Sequence, residues 1–223
     1  MKKHFIVIGL GRFGKSVAET LEDMGEEILA VDNKPDAVAE VSKNVSNCVI
    51  ADATKLDVLE DIGVEAYDHA VVAIGNNLEA SILTVTNLKR LGVRKITVRV
   101  DTEEHKEIFK LLGANEIVVP EEAAGIDLAN QIYSDAIIEY HVISGDYVMA
   151  KIKSDFDFSK KNLIDMDLRN KFGVNIVGII RNKLFFIPRG TDFFMKEDII
   201  VIAGKKNKIK KFARYVSNNK NND

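Results

Sequence analysis

The sequence is poor in the features that mark several classes of protein. It has one cysteine, Cys48, so no internal disulfide can form, and its apolar setting NCVIAD predicts a buried structural thiol. Apolar runs such as FIVIGL and IIVIAG are far shorter than the roughly 20 residues of a membrane-spanning helix. The net charge of −3 argues against nucleic acid as the main partner. We therefore expect a cytoplasmic globular protein that binds no nucleic acid and inserts into no membrane, and we interpret the basic, then apolar, N-terminus as a first strand rather than a signal peptide.

Strand-like and helix-like segments alternate along roughly the first half of the chain. The strand candidates are continuous apolar runs, and the helix predicted from Phe13 to Met24 has apolar residues at positions i, i+4 and i+7. Continuous apolar strands separated by helices are typical of a parallel sheet that is covered on both faces. The fold class predicted is therefore α/β, with an N-terminal Rossmann-type, doubly wound parallel sheet. The predicted strands are HFIVIG, EEILAVD, NCVIAD, DHAVVAIG, KITVRV and NEIVVP.

The pattern changes after the sixth of these strands. A helix predicted at 121–134 is followed by hairpin-like strands that turn at 144–146 and at 182–183, then by the strand DIIVIAG and a helix at 205–215. This order predicts a second, smaller α+β domain. The predicted domains are residues 1–134, which include a crossover helix at 121–134, then residues 135–216, with a flexible tail at 217–223.

The loop after the first strand fits two phosphate-binding patterns. Gly9, Gly11 and Gly14 form G-x-G-x-x-G, the dinucleotide fingerprint, whereas Gly9, Gly14, Lys15 and Ser16 form the G-x-x-x-x-G-K-S of a P-loop. Both patterns bring a phosphate to backbone N–H groups at a helix start. They imply different proteins, because the first pattern holds an adenosine-type ligand and the second belongs to NTPases.

Asp32 favours the first pattern. It ends the second predicted strand, where a Rossmann domain uses a carboxylate to bind the ribose hydroxyls, and it would repel the 2′-phosphate of NADP. The Rossmann turn also requires a glycine at Gly11, which a P-loop does not. Arg12 has two interpretations: a solvent-facing loop arginine, or a clamp on additional phosphates that favours ATP or ADP over NAD.

The sequence offers no catalytic residues. Its four histidines are scattered along the chain, and no Cys/His spacing predicts zinc. Tyr147 and Lys151 match the Y-x-x-x-K of short-chain dehydrogenases, but on a strand their side chains stand about 13 Å apart. A nucleotide site without catalytic residues predicts a sensor rather than an enzyme, in which the ligand biases a conformational equilibrium.

Several segments resemble a known family. VIGLGRFGKSVAETL, VIADAT, VVAIGNN and GANEIVVPEEAAG resemble the N-terminal domain of RCK (regulator of K⁺ conductance) proteins of the KtrA/TrkA type, and NIVGIIRN with FIPRGTDFFMKEDIIVIAG resembles their C-terminal domain. The resemblance implies a cytosolic regulatory subunit, peripheral to the inner face of the plasma membrane. It also implies dimers assembled into an octameric ring that gates a KtrB-type K⁺ transporter, with ATP and ADP competing for the N-terminal site.

The resemblance also implies roles for individual residues. Arg12 would reach the γ-phosphate, and Asp32 would hold the ribose. Asp52, Ala53 and Thr54 would line the adenine pocket. Arg99, where relatives often have lysine, would keep a positive charge at the end of the fifth strand, and Glu121 would help to hold Mg²⁺ or another cation between triphosphates. On the residues alone, Glu121 is equally read as a first-turn helix glutamate. The implied nucleotide site consists of Gly9, Gly11, Arg12, Phe13, Gly14, Asp32, Asn33, Asp52, Ala53, Thr54, Ile74, Gly75, Asn76, Arg99 and Glu121.

A second site, for cyclic di-AMP, is implied at a two-fold interface between C-terminal domains. Arg169 would bond a phosphate, and Asn175 with Ile176 would meet the adenine. The residues alone also allow a plain helix packed on a small sheet, with Arg169 in solvent. The implied residues are Leu163, Ile164, Asp167, Leu168, Arg169, Asn175, Ile176 and Pro188.

A protein of another class is the alternative. An NAD-dependent oxidoreductase or an NAD-sensing regulator would use the same Rossmann loop. A change in nicotinamide absorbance with candidate substrates would indicate the oxidoreductase, and a thermal shift with ATP would indicate the sensor.

Overall fold

The structure is a computed structural model, and it describes residues 2–75, 77–133, 136–154, 158 and 161–218. The chain forms two compact units, Met1–Glu122 and Ala123–Asp223. Among the described helices, none has the length and apolar character that a membrane span requires.

The first unit alternates strands and helices, as predicted. Its helix boundaries follow local signals, since Pro35 opens the second helix and Asn77 caps the fourth, where its side chain accepts a hydrogen bond from the Ala80 N–H at 3.0 Å. The elements are β1 His4–Ile8, α1 Arg12–Asp23, β2 Glu27–Asp32, α2 Pro35–Val41, β3 Cys48–Ile50, α3 Leu56–Ile62, a 3-10 turn Val64–Ala66, β4 His69–Val72, α4 Leu78–Arg90, β5 Lys95–Arg99, α5 Glu103–Leu111, β6 Glu116–Val118 and the start of α6 Pro120–Tyr133.

The strands of this unit form one parallel sheet in the order β3-β2-β1-β4-β5-β6. The order reverses between β1 and β4, as in a Rossmann domain. Neighbouring strand residues point to opposite faces, so Val7 packs with Val38 on one face while Ile8 packs with Leu59 on the other. The continuous apolar runs therefore predicted a sheet covered on both faces, and that prediction is confirmed.

The second unit contains a smaller antiparallel sheet, whose strands lie in the order β10 (Leu184–Phe186), β9 (Val174–Arg181), β11 (Ile199–Lys205), β8 (Tyr147–Lys153) and β7 (Ile137–Ser144). One hairpin turns at Asn182 and Lys183, both with positive φ (51° and 66°), which suits a tight two-residue turn. The α/β plus α+β fold class predicted is thus confirmed. The elements are the rest of α6, β7 Ile137–Ser144, β8 Tyr147–Lys153, α7 Leu163–Met166, α8 Leu168–Phe172, β9 Val174–Arg181, β10 Leu184–Phe186, β11 Ile199–Lys205 and α9 Lys206–Asn218.

One buried ion pair ties this second sheet together. Asp198 is 1% exposed and accepts hydrogen bonds from Arg181 Nε at 2.9 Å and Nη2 at 2.8 Å. The backbone N–H of Met195 donates to the same carboxylate at 2.7 Å. The guanidinium also lies 5.6 Å from the ring centre of Phe186, within cation–π range. Removing Arg181 would leave the buried Asp198 carboxylate without its charged partner, whereas the Arg181 side chain is 30% exposed.

Some details differ from the sequence-based expectations. Cys48 is half-buried rather than buried, because β3 is a three-residue edge strand, and desolvation raises the pKa of its thiol. Helix α9 runs to Asn218, two residues into the predicted tail, whose remaining residues lie outside the described part of the chain. The compact units divide after Glu122, whereas the predicted domain boundary at 134 falls on a residue that the structure does not describe, so that boundary stays a prediction.

Candidate functional site

A crevice of about 580 Å³ opens beside the carboxyl ends of β1 and β4, where the strand order reverses. Ligands of open α/β sheets bind at this topological switch point. Its walls come from the glycine loop, the ends of β2 and β4, the turn after β3 and the end of β5. The lining residues are Ile8, Gly9, Leu10, Gly11, Arg12, Phe13, Asp32, Asn33, Lys34, Ala37, Ala51, Asp52, Ala53, Thr54, Ala73, Ile74, Gly75, Asn77, Ala80, Arg99 and Glu121.

The three glycines of the loop have three different structural reasons. Gly9 has φ 92°, a region that side chains avoid. A Cβ at Gly14 would lie 1.8 Å from the carbonyl oxygen of Gly9, so α1 can pack on the loop only without a side chain there. A Cβ at Gly11 would meet no protein atom within 4 Å. The space at Gly11 faces the start of α1, where the backbone must stay open for a phosphate to approach.

Asp32 is oriented by two backbone N–H groups. Its Oδ2 accepts from Leu10 at 2.6 Å and its Oδ1 accepts from Lys34 at 2.9 Å. The first of these bonds links the end of β2 directly to the glycine loop. Each oxygen retains a lone pair, so the carboxylate can still accept hydrogen bonds from two ribose hydroxyls.

Lys15 is bound elsewhere and does not point to a phosphate. Its ammonium group forms an ion pair and hydrogen bond with Glu40 of α2, and that hydrogen bond raises the pKa of Lys15 and lowers that of Glu40. The P-loop pattern would require this ammonium at the phosphates. The Rossmann interpretation of the loop is therefore the one that the fold supports.

The turn after β3 forms a compact wall at the other end of the crevice. Asp52 Oδ1 accepts hydrogen bonds from the Thr54 hydroxyl at 2.7 Å and the Thr54 N–H at 3.1 Å. These two bonds lower the pKa of Asp52 below its ordinary value. The carboxylate thereby holds the turn in shape, while its Oδ2 lies 4.0 Å from Lys55 Nζ.

An arginine and two carboxylates form an ion-pair cluster at the end of β5, and Arg12 adds a second positive charge nearby. Arg99 has a side chain only 13% exposed, and its Nη2 lies 2.8 Å from Glu121 and 2.9 Å from Asp101. The pKa of Glu121 is lowered by its own backbone N–H at the start of α6, by Arg99 and by the charge of Arg12. Arg12 itself is exposed in the loop. Two guanidinium groups bring positive charge to this end of the crevice, and an anionic ligand would compete with Glu121 and Asp101 for Arg99.

The predicted nucleotide residues are largely brought together here. All of them line the crevice except Gly14, which packs behind the loop, and Asn76, which lies outside the described residues. Sequence reasoning missed Leu10 and Lys34, whose backbone groups hold Asp32, because backbone donors leave no side-chain pattern. Their place next to the fingerprint and next to Asp32 was the available signal.

The residues predicted for a second ligand are divided between surface and core. Arg169 and Asn175 are exposed, and Ile164 is 66% exposed. Leu168 is only 5% exposed and belongs to the core of the second unit, so its side chain offers a ligand little surface. Asp167 has φ 45° and accepts a hydrogen bond from the Asn170 side chain at 2.8 Å. Leu163, Ile176 and Pro188 are half-buried.

Comparison with known proteins matches both units. The TrkA-N domain family matches residues 5–120 and the TrkA-C domain family matches residues 147–217. The Ktr system potassium uptake protein C of Bacillus subtilis is 38% identical over 221 residues, which is 99% of this chain and 100% of that protein. The Ktr system potassium uptake protein A of the same organism is 33% identical, over 94% of this chain and 95% of that protein.

Solved structures agree on the fold. The structure titled GsuK channel bound to NAD superposes on 97% of this chain with a TM-score of 0.67 and 17% identity, and the match spans 39% of that longer chain. At this identity the likeness concerns the fold. The relatives of nearly the same length and the two domain matches show the family: the chain belongs to the RCK family of the KtrA/TrkA type, and the two Bacillus subtilis members named above are potassium uptake proteins.

Proposed function

We propose that this protein is the nucleotide-sensing regulatory subunit of a KtrB-type potassium transporter and that it binds ATP and ADP in the crevice of its first unit. One observation carries the proposal. The crevice has at one wall a carboxylate, Asp32, that two backbone N–H groups orient for hydrogen bonds to a ribose, and two guanidinium groups, Arg12 and Arg99, line it where phosphates would bind. The identity to Ktr potassium uptake proteins over nearly full length supports the link to potassium transport.

Arg12 distinguishes the two nucleotides in this proposal. Its guanidinium binds the third phosphate of ATP, either in its own subunit or in a neighbour, and ADP lacks that group. Glu121 binds a cation, Mg²⁺ or another, between triphosphates. This role requires the carboxylate to leave Arg99, which is 2.8 Å away, when the phosphates take over that arginine.

NAD is the alternative ligand, and a structural neighbour supports it. The structural neighbour with the same fold is titled as bound to NAD, and Asp32 suits any adenosine ribose. An NAD-dependent oxidoreductase would need a substrate site in addition. In our proposal the protein is not an enzyme, and the ligand acts by shifting a conformational equilibrium.

The assembly we propose is a homo-oligomer, with dimers forming an octameric ring on the inner face of the membrane. Exposed apolar side chains support it: Leu83 on α4 is 44% exposed, and Leu128 and Ile132 on α6 are 57% and 73% exposed. Apolar side chains at this exposure are stabilised by burial between subunits. Light scattering at micromolar concentration, with and without ATP, tests this, and a monomer in both conditions would contradict it.

A cyclic di-AMP site between two second units completes the proposal. Arg169 and Asn175 are exposed and polar, and Ile164 adds an exposed apolar side chain. A symmetric dinucleotide suits a two-fold interface, with one ligand for two chains. Calorimetry with cyclic di-AMP on the full chain tests it, with Arg169→Ala expected to lose the binding and Lys208→Ala as the control. An unchanged isotherm for Arg169→Ala, or no heat in the native protein, would remove this site.

The ATP site is tested by calorimetry with ATP, ADP and NAD. Arg12→Ala is expected to weaken ATP by about tenfold to a hundredfold and ADP much less, because a charge-assisted hydrogen bond contributes roughly 1.5–3 kcal/mol. Lys15→Ala is the matched control, since its ammonium is paired with Glu40 and not with a ligand. Equal weakening of ATP and ADP would overturn the role of Arg12, and tighter binding of NAD than of either nucleotide would favour the alternative.

A further inference from the structure

Helix α4 has three buried polar residues on the side that faces the crevice. Ser81, Thr84 and Asn87 are 3%, 0% and 8% exposed. Their spacing of three residues spreads them along roughly 9 Å of the helix axis, at 1.5 Å per residue. Polar side chains at this depth are costly unless they are hydrogen-bonded, so their partners indicate what they do.

All three side chains donate hydrogen bonds to backbone carbonyls of the crevice wall. Asn87 Nδ2 donates to the carbonyl of Thr54 at 2.9 Å, and Thr84 Oγ1 donates to the carbonyl of Ala53 at 3.3 Å. Ser81 Oγ lies 3.2 Å from the carbonyl of Ile74, at the end of β4, and 3.1 Å from that of Asn77. One helix thus holds both the turn after β3 and the end of β4.

A neighbouring residue shows that this pattern is specific to one face of the helix. Thr86 lies on another face of α4, and its hydroxyl donates back within the helix to the carbonyl of Ile82 at 2.8 Å. This is the usual arrangement of a threonine in a helix. Thr84 and Asn87 reach across to a different segment instead, so their bonds fix that segment and not the helix itself.

We propose that Ser81, Thr84 and Asn87 are positioning residues that set the base-binding wall of the crevice and couple it to α4. The proposal rests on the proposed nucleotide site. The turn at Asp52–Thr54 is closed on one side by the Asp52 carboxylate and anchored on the other by α4. A shift of α4 therefore moves the base wall and the end of β4 together, which gives a nucleotide in the crevice a direct connection to the helix.

Isosteric substitutions test the proposal. Thr84→Val and Asn87→Leu remove the donors and keep the number and branching of the side-chain heavy atoms. Thr84→Ser keeps the hydroxyl, and Thr86→Val is the matched control on the same helix. The measurements are ATP and ADP affinity by calorimetry, well below the melting temperature, and backbone hydrogen exchange without ligand. We expect Thr84→Val and Asn87→Leu each to raise Kd for ATP and for ADP by the same factor, about fivefold for one neutral hydrogen bond.

The control and the ligand-free measurement separate positioning from stability. Thr84→Ser should restore the native affinity, and Thr86→Val should leave Kd unchanged even where it lowers the melting temperature. Exchange should accelerate at 51–56 in Thr84→Val and Asn87→Leu but not in Thr86→Val. Affinities that fall equally in Thr86→Val, or exchange at 51–56 that stays native in both test variants, would overturn the proposal. If the native protein binds no adenine nucleotide, the proposed function fails, while the exchange result still decides whether α4 holds the turn.

Discussion

The glycine fingerprint serves both the packing of α1 and the binding of phosphates, and separate alanine substitutions at Gly11 and Gly14 should distinguish these two roles. At Gly11 the backbone has φ −65° and ψ −176°, which alanine adopts without strain, and a methyl group would meet no protein atom within 4 Å. We therefore expect Gly11→Ala to change the free energy of unfolding by less than about 1 kcal/mol. At Gly14 the methyl group would lie 1.8 Å from the Gly9 carbonyl oxygen, so the backbone must move.

The two variants should show opposite patterns: Gly14→Ala should lose thermal stability, and Gly11→Ala should lose ATP affinity. Overpacking costs about 1–3 kcal/mol and more where backbone is displaced, so Gly14→Ala should lower the melting temperature by about 10 °C, at roughly 3 °C per kcal/mol. Gly11→Ala should melt near the native temperature but lose binding. Its methyl group would occupy the approach to the α1 N–H groups, and two charge-assisted hydrogen bonds lost there would weaken ATP by at least about a hundredfold.

The assay is thermal unfolding without nucleotide together with calorimetry with ATP. Native affinity in Gly11→Ala would refute the reasoning, because the open space at this residue would then not be the path of the phosphates. A native melting temperature in Gly14→Ala would refute the packing argument instead, since it would mean that α1 can move away from the loop without loss.

Three further changes test other parts of the structure. Asp32→Ala should abolish adenine-nucleotide binding while Lys15→Ala keeps most of it, as measured by equilibrium binding, and the reverse order would restore the P-loop interpretation. Arg181→Met leaves a buried carboxylate unpaired and should destabilise the second unit by about 3–5 kcal/mol in urea unfolding, whereas a loss below about 1 kcal/mol would show that the pair is dispensable. Thr54→Val should raise the pKa of Asp52 toward its ordinary value of 3.8, as measured by a carboxyl NMR titration. A carboxylate with a lowered folded-state pKa stabilises the protein until the pH falls through that pKa. In Thr54→Val this stabilisation should therefore be lost at a higher pH than in the native protein.

Much of the first unit could be predicted because its determinants are local. Continuous apolar strands require a sheet covered on both faces, and the fingerprint followed by Asp32 defines where the crevice lies. The residues that were missed act through the backbone or across the fold. Neither the bond from the Leu10 N–H to Asp32 nor the pairing of Lys15 with Glu40 has a signature at a fixed spacing, since each joins residues more than 20 positions apart.

The burial of Cys48 was wrong for a related reason. Its apolar neighbours predict a strand, and the strand exists, but position within the sheet decides burial. β3 is the last strand at one edge, so two of its three residues face solvent. Strand order is a property of the whole unit, and no window of sequence around Cys48 contains it. The same limit applies to Leu168, which the family resemblance placed in a ligand site and which packs into the core of the second unit.

The ion-pair cluster of Arg99, Glu121 and Asp101 could not be predicted from its residues taken one at a time. Arg99 and Glu121 were each expected in the nucleotide site, and the structure adds that they form an ion pair with each other, with Asp101 as a further partner. A phosphate that approaches Arg99 must therefore compete with two carboxylates. In the proposed function, a phosphate that takes over Arg99 would free Glu121, at the first turn of α6, to bind a cation or to separate from the site. Because α6 continues from the first unit into the second, we expect this exchange of partners at Arg99 to be where nucleotide binding can affect the second unit.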